Sequence, residues 1–319
     1  MTRGLLASAL VIAFLILTLL SVGCTTQPNT VPEIVTSAPQ TQATLIGGYG
    51  IPVGLSEYTF NDTRGNADRP ITVYTYRPAS WNVSGQILIA MHGAGRDGEP
   101  TRDTWIAAAD KYSCLIIAPE FSFQNYPGDQ WYIGGNVMDQ NGTIQPQANW
   151  TYTAIEHLFD DVKSRTGAQR DTYLLFGHSA GGQFVHRFVT LLPNARYTIA
   201  VAANAGVYLM PTYSVVYGFG LYESPLPASE LPLVFSRKLV IMSGGADTNP
   251  NDSSLANFPA AEAQGATRFD RAKKYYATAQ QEAVAIGAPL NWEYHVIPGV
   301  GHDEGAMAAA SVPYLFGNG

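Results

Sequence analysis

Short hydrophobic runs punctuate the chain and predict the strands of a sheet. Residues 71–78 alternate apolar and polar positions, as an edge strand does. A run at 291–299 is more mixed and also suits a strand near the edge of a sheet. Continuously apolar runs are typical of strands that are buried on both faces of a parallel sheet. Such runs occupy 86–93, 114–120, 172–177, 198–206 and 238–245.

Longer segments with helical periodicity lie between these strands. Apolar residues recur at helical spacing over 152–162 and 184–192, and 266–286 forms a third such segment. The alternation predicts an α/β fold with a mostly parallel central sheet and helices on both faces. Two irregular insertions, 121–149 and 207–237, interrupt the alternation and are rich in Tyr, Pro, Gly and Asn. Because long irregular insertions in a compact domain are usually functional, we expect both near a functional site.

The N-terminus has the pattern of an export signal. Arg3 precedes an uninterrupted apolar run that ends near residue 20. The following SVGC resembles the lipobox of secreted lipoproteins, which implies lipid attachment at Cys24. An uncleaved membrane anchor is the alternative. Either interpretation places the rest of the chain outside the membrane, and the first predicts a lipid-anchored protein at the cell surface.

A polar segment separates this signal from the folded part of the chain. Residues 25–47 are rich in Thr, Pro, Gln and Ser, which is typical of a flexible linker. The organisation predicted is therefore a signal at 1–24, a linker at 25–47 and one large domain at 48–319. A chain of 319 residues, 46% of them hydrophobic, has enough apolar material for one such core.

Charge and cysteine content narrow the range of partners. The net charge is −7 and Lys and Arg are not clustered, which argues against a nucleic acid partner. Cys114 lies in a predicted strand and has no disulfide partner if Cys24 is modified. The stretch after Asp247 mimics the start of a calcium loop, but Asp252 and Phe258 stand where that loop requires Gly and Glu. We expect neither a metal nor another cofactor.

A serine flanked by glycines follows the strand at 172–177. Gly177-His178-Ser179-Ala180-Gly181 matches G-x-S-x-G at the junction of a buried strand and an amphipathic helix. Such a sharp turn strains the serine backbone and lifts its hydroxyl above the sheet. The alternative is a serine that only caps the helix. The context favours a nucleophile, and a serine nucleophile requires a base and a group that orients the base.

Candidates for these two groups follow in the expected order. Asp247 comes just after the strand at 238–245, with Asp252 in reserve, although a turn aspartate that bonds its own backbone is the alternative. His302 lies in the loop after the last strand and is the candidate base. Backbone N–H groups at Ala94, in the turn HGAG, and at Ala180, at the helix N-terminus, are the candidate oxyanion donors.

Both insertions leave the carboxyl ends of predicted strands and should border Ser179. We expect Trp131, Tyr132 and Tyr208 to contact the substrate, because aromatic rings bind apolar groups and, in tyrosine, offer a polar tip. The alternative is that these rings only pack the insertions onto the core.

The segments MHGAGRDG, FGHSAGGQFVHRF, GGADTNP and VIPGVGHDEGAM carry a resemblance. From about residue 56 onward the chain resembles the α/β-hydrolases, and in particular the exported esterases grouped with poly(3-hydroxybutyrate) depolymerases and feruloyl esterases. The resemblance implies cleavage of an ester bond through an acyl-enzyme without a cofactor. We therefore expect a monomeric serine esterase acting on a small-molecule or polymeric ester. A serine peptidase with the same triad and a non-catalytic binding module that retains the fold are the alternatives.

Overall fold

The computed structural model describes residues 50–317. The predicted export signal, the lipid attachment at Cys24 and the linker at 25–47 lie outside the described residues. Within 50–317, none of the helices combines the length and the apolar character needed to span a bilayer.

One sheet of eight strands runs through the described part of the chain. Its order is β1-β2-β4-β3-β5-β6-β7-β8. β2 pairs antiparallel with both β1 and β4, and the pairs from β4–β3 to β7–β8 are parallel. The mostly parallel sheet predicted from the sequence is confirmed. The strands are β1 Gly54–Phe60, β2 Ile71–Arg77, β3 Ile87–Met91, β4 Leu115–Glu120, β5 Tyr173–His178, β6 Tyr197–Ala203, β7 Leu239–Gly244 and β8 Trp292–Ile297.

Helices cover both faces of this sheet. The two hydrophobic clusters of the core divide β3 between them: Ile87, Ile89 and Met91 belong to one cluster, and Leu88 and Ala90 to the other. Because successive side chains of a strand point to opposite faces, this division means that the strand is buried on both sides. The helices are α1 Gly98–Asp103, α2 Ile106–Tyr112, α3 Gly128–Trp131, α4 Thr151–Thr166, α5 Ala180–Leu191, α6 Leu231–Ser236, α7 Pro259–Glu262, α8 Arg268–Ala285 and α9 Glu304–Phe316.

Parallel strands bring the polar loops of the chain to one edge of the sheet. The loops after β3, β5, β7 and β8 all leave carboxyl ends, where ligand sites of such sheets collect. Strand β3 and helix α5 approach closely at this edge: a Cβ added to Gly181 would lie 2.3 Å from the Met91 carbonyl oxygen. Only glycine fits there, and this contact fixes the position at which α5 begins.

Candidate active site

Ser179 occupies a strained turn between β5 and α5. Its φ of 56° and ψ of −117° lie outside the regions that residues with a side chain ordinarily adopt. The Ser179 N–H donates to the Ala203 carbonyl at 2.9 Å, and the Ser179 carbonyl accepts from the Gln183 N–H at 3.0 Å. The Ser179 side chain makes no capping hydrogen bond to α5. The alternative that Ser179 only caps the helix is therefore wrong. Hydrogen bonds of the neighbouring backbone hold Ser179 in a strained conformation that a serine does not ordinarily adopt.

A relay of hydrogen bonds connects Ser179 to His302 and Asp247. His302 Nε2 lies 3.0 Å from Ser179 Oγ, and His302 Nδ1 lies 2.8 Å from Asp247 Oδ2. A carboxylate only accepts, so neutral His302 carries its proton on Nδ1 and leaves Nε2 to accept the serine proton. Three residues that are far apart in sequence thus meet in the geometry that activates a serine nucleophile.

Arg268 separates the two candidate acids. Its guanidinium, 3% exposed, donates through Nη1 to Asp247 Oδ1 at 3.2 Å and through Nη2 to Asp252 Oδ1 at 3.2 Å. Hydrogen bonds from Ser254, and then from Arg268, hold the pKa of Asp252 below its usual range. Asp252 thus reaches the relay only through Arg268, while Asp247 contacts the imidazole directly. In the residues described here, no three His, Cys, Asp or Glu side chains are arranged to hold a metal ion.

The loop that carries His302 is held from the neighbouring strand ends. Asn204 donates through Nδ2 to the Gly301 carbonyl at 2.9 Å and accepts from the Gly244 N–H at 2.7 Å. The ring of His178 packs 4.6 Å from that of His302. Burial lowers the pKa of His178 to about 3, so this ring stays neutral near pH 7. The neutral His178 ring therefore adds no positive charge beside the imidazolium that forms on His302 during proton transfer.

The two candidate oxyanion donors line the same cavity as Ser179. As the first residue of α5, Ala180 has an N–H without an intrahelical partner. The Ala94 N–H donates to no protein acceptor within residues 50–317. Buried His92 supports the turn that carries Ala94, because its Nδ1 donates to the Gly93 carbonyl at 2.9 Å and its Nε2 accepts from the Phe121 N–H at 3.0 Å. Both amides are thus available to an anion beside the serine.

A cavity of about 610 Å³ opens above this constellation. Residues of both irregular insertions line it, including Ile133 and Met138 from the first and Tyr217 and Phe219 from the second. The prediction that both insertions border Ser179 is confirmed. Residues around 253–258 form a third wall of the cavity, which the sequence pattern did not predict.

Two solved structures resemble the chain over most of its length. Poly(aspartic acid) hydrolase-1 from Sphingomonas sp. KT-1 is 35% identical, with a TM-score of 0.81, and the match covers 83% of this chain and 100% of that one. LpqC, a poly(3-hydroxybutyrate) depolymerase from Bordetella parapertussis, is 34% identical, with a TM-score of 0.78 and coverages of 82% and 90%. The chain belongs to the esterase and depolymerase group of the α/β-hydrolases. This membership confirms the predicted fold and the predicted class of serine hydrolase.

More distant structures share the fold alone. A thermostable esterase is 12% identical with a TM-score of 0.50, and the match covers 83% of this chain and 60% of that one. No family model and no curated protein matches the chain.

The prediction that Tyr132 contacts the substrate of this hydrolase is wrong. Tyr132 is fully buried, its ring stacks on that of His92 at 4.4 Å, and its hydroxyl donates to the His92 carbonyl at 2.6 Å. The guanidinium of Arg96 covers the same ring at 4.4 Å. Tyr132 therefore braces the turn that presents Ala94 and does not face the cavity.

The corresponding prediction for Tyr208 is wrong for the same physical reason, whereas that for Trp131, which is only partly buried, stays a prediction. Tyr208 is fully buried and stacks on Tyr275 at 4.6 Å. Trp131 is partly buried under the guanidinium of Arg69, 3.8 Å from the ring centroid, and lies outside the cavity lining. The rings of Tyr132 and Tyr208 pack the insertions onto the core, because large apolar surfaces are stabilised by burial.

Sequence reasoning also missed two polar residues of the cavity. Gln183 and Arg187 line it from helix α5. They are four residues apart on one face of α5, and Gln183 comes four residues after Ser179, which immediately precedes the helix. That spacing was readable once Ser179 had been placed at the start of a helix.

Proposed function

We propose that this hydrolase cleaves carboxylic esters through an acyl-enzyme on Ser179. The observation that carries the proposal is the unbroken relay from Ser179 Oγ through His302 to Asp247, at 3.0 and 2.8 Å. Ser179 Oγ attacks the carbonyl carbon while His302 Nε2 takes the hydroxyl proton. The resulting oxyanion accepts hydrogen bonds from the amides of Ala94 and Ala180, each of which contributes about 3 kcal/mol to the transition state.

The second half of the reaction restores the enzyme. His302 passes its proton to the leaving alkoxide, and the alcohol departs from the acyl-enzyme. A water molecule then loses a proton to His302 and attacks the acyl carbonyl, and the C–O bond to Ser179 breaks as His302 returns the proton to the serine oxygen. The products are one carboxylic acid and one alcohol, and no cofactor enters the balance.

The cavity supports a substrate larger than an acetyl ester. Its volume of about 610 Å³ falls within the range of sites that accept drug-sized ligands. Apolar side chains such as Ile133, Met138 and Phe219 line it. We propose an aliphatic or aromatic ester, free or as one unit of a polyester chain. The group of depolymerases to which the chain belongs supports the polymeric option.

Amide cleavage is the second candidate activity. One of the similar structures, at 35% identity, is a poly(aspartic acid) hydrolase, and poly(aspartic acid) is linked through amides. The same relay can cleave an amide if His302 protonates the leaving nitrogen. Paired substrates that share an acyl group, 4-nitrophenyl butanoate and butanoyl 4-nitroanilide, separate the two activities. We expect a higher kcat/KM for the ester, loss of both activities in Ser179→Ala, and a preference for the anilide only if the esterase proposal is wrong.

We further propose that the hydrolase is exported and held on the outer face of a membrane by lipid at Cys24. Arg3, the apolar run after it and the SVGC segment support this location, and the linker at 25–47 is long enough to separate the domain from the lipid. Labelling with radioactive palmitate in cells should mark the wild-type chain and leave Cys24→Ala unlabelled. Label on neither chain, with the hydrolase retained in the membrane fraction, would favour an uncleaved anchor.

We also propose that the hydrolase acts as a monomer, because every residue of the relay and both oxyanion donors come from a single chain. Sedimentation of the detergent-solubilised chain tests this. A dimer that persists at assay concentrations would contradict it.

A further inference from the structure

Arg187 is a buried cation in the wall of the cavity. It lies on α5, two turns beyond Ser179, and is 7% exposed. Despite that burial it lines the cavity that contains the serine. A buried charge is unfavourable unless it is paired or hydrogen-bonded, so the partners of this guanidinium matter.

The protein satisfies this guanidinium only in part. Nη2 donates to the Gly218 carbonyl at 2.9 Å, and Nε is buried without a hydrogen-bond partner. No carboxylate between residues 50 and 317 lies within 4.0 Å of it. Arg268 in the same cavity differs, because two carboxylates neutralise it. The charge of Arg187 is therefore available to a ligand.

The acidic residues of the cavity do not compensate Arg187. Asp129 is exposed at the start of the short helix α3. The carboxylate of Asp139 accepts hydrogen bonds from the N–H groups of Asn141 and Thr143, at 2.8 and 2.9 Å, within its own turn. Neither is within ion-pair distance of the guanidinium, so the positive charge persists at the helix face.

The position of Arg187 relates it directly to the nucleophile. Gln183 and Arg187 lie on one face of α5, four and eight residues beyond Ser179, which immediately precedes the helix. A rise of 1.5 Å per residue places the Cα of Arg187 about 10 Å from that of Ala180, the first residue of α5. The Cα–Cβ bonds of a helix tilt towards its N-terminus, so the Arg187 side chain leaves α5 in the direction of Ser179. Gln183 stands between them, its side-chain amide without a hydrogen-bond partner among the described residues. Ser179, the Gln183 amide and the Arg187 guanidinium thus follow one another along one wall of the cavity.

We propose that Arg187 binds a carboxylate of the substrate, so that the hydrolase prefers esters with an anionic group several bonds from the scissile carbonyl. The inference rests on the esterase function proposed above. A guanidinium suits a carboxylate because its donors match the two oxygens, and the apolar walls near Ser179 strengthen the ion pair. The competing role is structural: Arg187 could only anchor the 207–237 insertion through Gly218.

Paired neutral and anionic esters test this. On the acyl side, 4-nitrophenyl hydrogen esters of adipic, suberic and sebacic acid are compared with their methyl esters. On the alcohol side, 4-carboxyphenyl butanoate is compared with 4-(methoxycarbonyl)phenyl butanoate. We expect wild type to prefer the anionic member of at least one pair by about tenfold or more in kcat/KM, since hydrogen bonds to charged groups contribute in that range.

The variants separate recognition from structure. Arg187→Met should bring the ratio of kcat/KM for the anionic and neutral esters close to one, and Arg187→Lys should keep part of the preference. Arg237→Met is the matched control, because Arg237 also donates only to backbone carbonyls, those of Ala195 and Tyr197, and lies outside the cavity lining. An unchanged preference in Arg187→Met, or no preference in wild type on either side, would overturn the proposal.

A binding measurement keeps this result independent of catalysis. Calorimetry with suberate and its dimethyl ester, on Ser179→Ala with and without Arg187→Met, needs no turnover. Suberate binding that disappears with Arg187→Met supports the carboxylate site even if no ester is cleaved, in which case the proposed function alone fails. Equal binding to both variants contradicts the site.

Discussion

Replacing Asp247 by asparagine tests the relay, because it should change which ring nitrogen of His302 carries the proton. Asp247 Oδ2 faces His302 Nδ1 at 2.8 Å, and Oδ1 faces Nη1 of Arg268 at 3.2 Å. A guanidinium only donates, so the introduced asparagine must turn its side-chain oxygen towards Arg268. The amide nitrogen then donates to His302 Nδ1 and forces the imidazole proton onto Nε2. That tautomer cannot accept the proton of Ser179.

The expected loss is large because the base is disabled while its position is kept. A wrong tautomer in a serine triad lowers kcat by about 10⁴, which corresponds to about 5 kcal/mol in the activation free energy. Asp252→Asn is the matched control, since Asp252 meets Arg268 and not His302. We expect it to lose less than about tenfold, as a partly exposed ion pair contributes about 1 kcal/mol or less.

Removing Arg268 should partly rescue the asparagine variant. Without the guanidinium, the introduced amide is free to turn its oxygen towards His302 and restore the productive tautomer. We therefore expect Asp247→Asn/Arg268→Met to have a higher kcat than Asp247→Asn alone, measured with 4-nitrophenyl butanoate and with circular dichroism to verify folding. A double variant no more active than the single one, or a greater loss in Asp252→Asn, would refute this reasoning.

Two further predictions concern stability. Gly181→Ala would place a Cβ 2.3 Å from the Met91 carbonyl oxygen, so we expect a lower urea midpoint and lower activity. Gly305→Ala is the control and should be tolerated, because the nearest atom to its added Cβ is 3.6 Å away. Equal urea midpoints for the two variants would contradict this. Burial lowers the pKa of His92 and of His178 to about 3, so the unfolded chain binds protons first as the pH falls below about 6.5. Between pH 7 and pH 5 the free energy of unfolding should drop by roughly 2 kcal/mol for each ring. Urea titrations at the two pH values measure this drop. Equal free energies of unfolding at both would show that the two rings are not buried in their neutral form.

Much of the fold followed from the hydrophobic pattern because the sheet is buried on both faces. Continuous apolar runs such as 86–93 and 238–245 allow few structures other than buried strands, and both proved to be strands. The strand Gly54–Phe60 was missed. It lies at the edge of the sheet with polar and apolar positions that are only partly buried, so the pattern there is weak.

Some residues of the candidate site could be predicted from the strand pattern, and others could not. Ser179, Asp247 and His302 were found because each follows a strand, and the carboxyl ends of parallel strands meet at one edge. The role of Arg268 depends on how the loop after β7 folds back onto α8, which periodicity does not specify. Tyr132 and Tyr208 were misplaced because composition does not distinguish a ring that faces a cavity from one that packs a loop, as Tyr132 does on His92.

Covalent labelling of Ser179 tests the central claim most directly. The folded hydrolase is incubated with a fluorophosphonate, and the intact mass is measured for wild type and for Ser179→Ala. The relay predicts one adduct on wild type, on Ser179, and none on the variant, because only an activated hydroxyl displaces the fluoride. A folded wild-type chain that takes up no adduct, or an adduct that persists on Ser179→Ala, would contradict the assignment of Ser179 as the nucleophile.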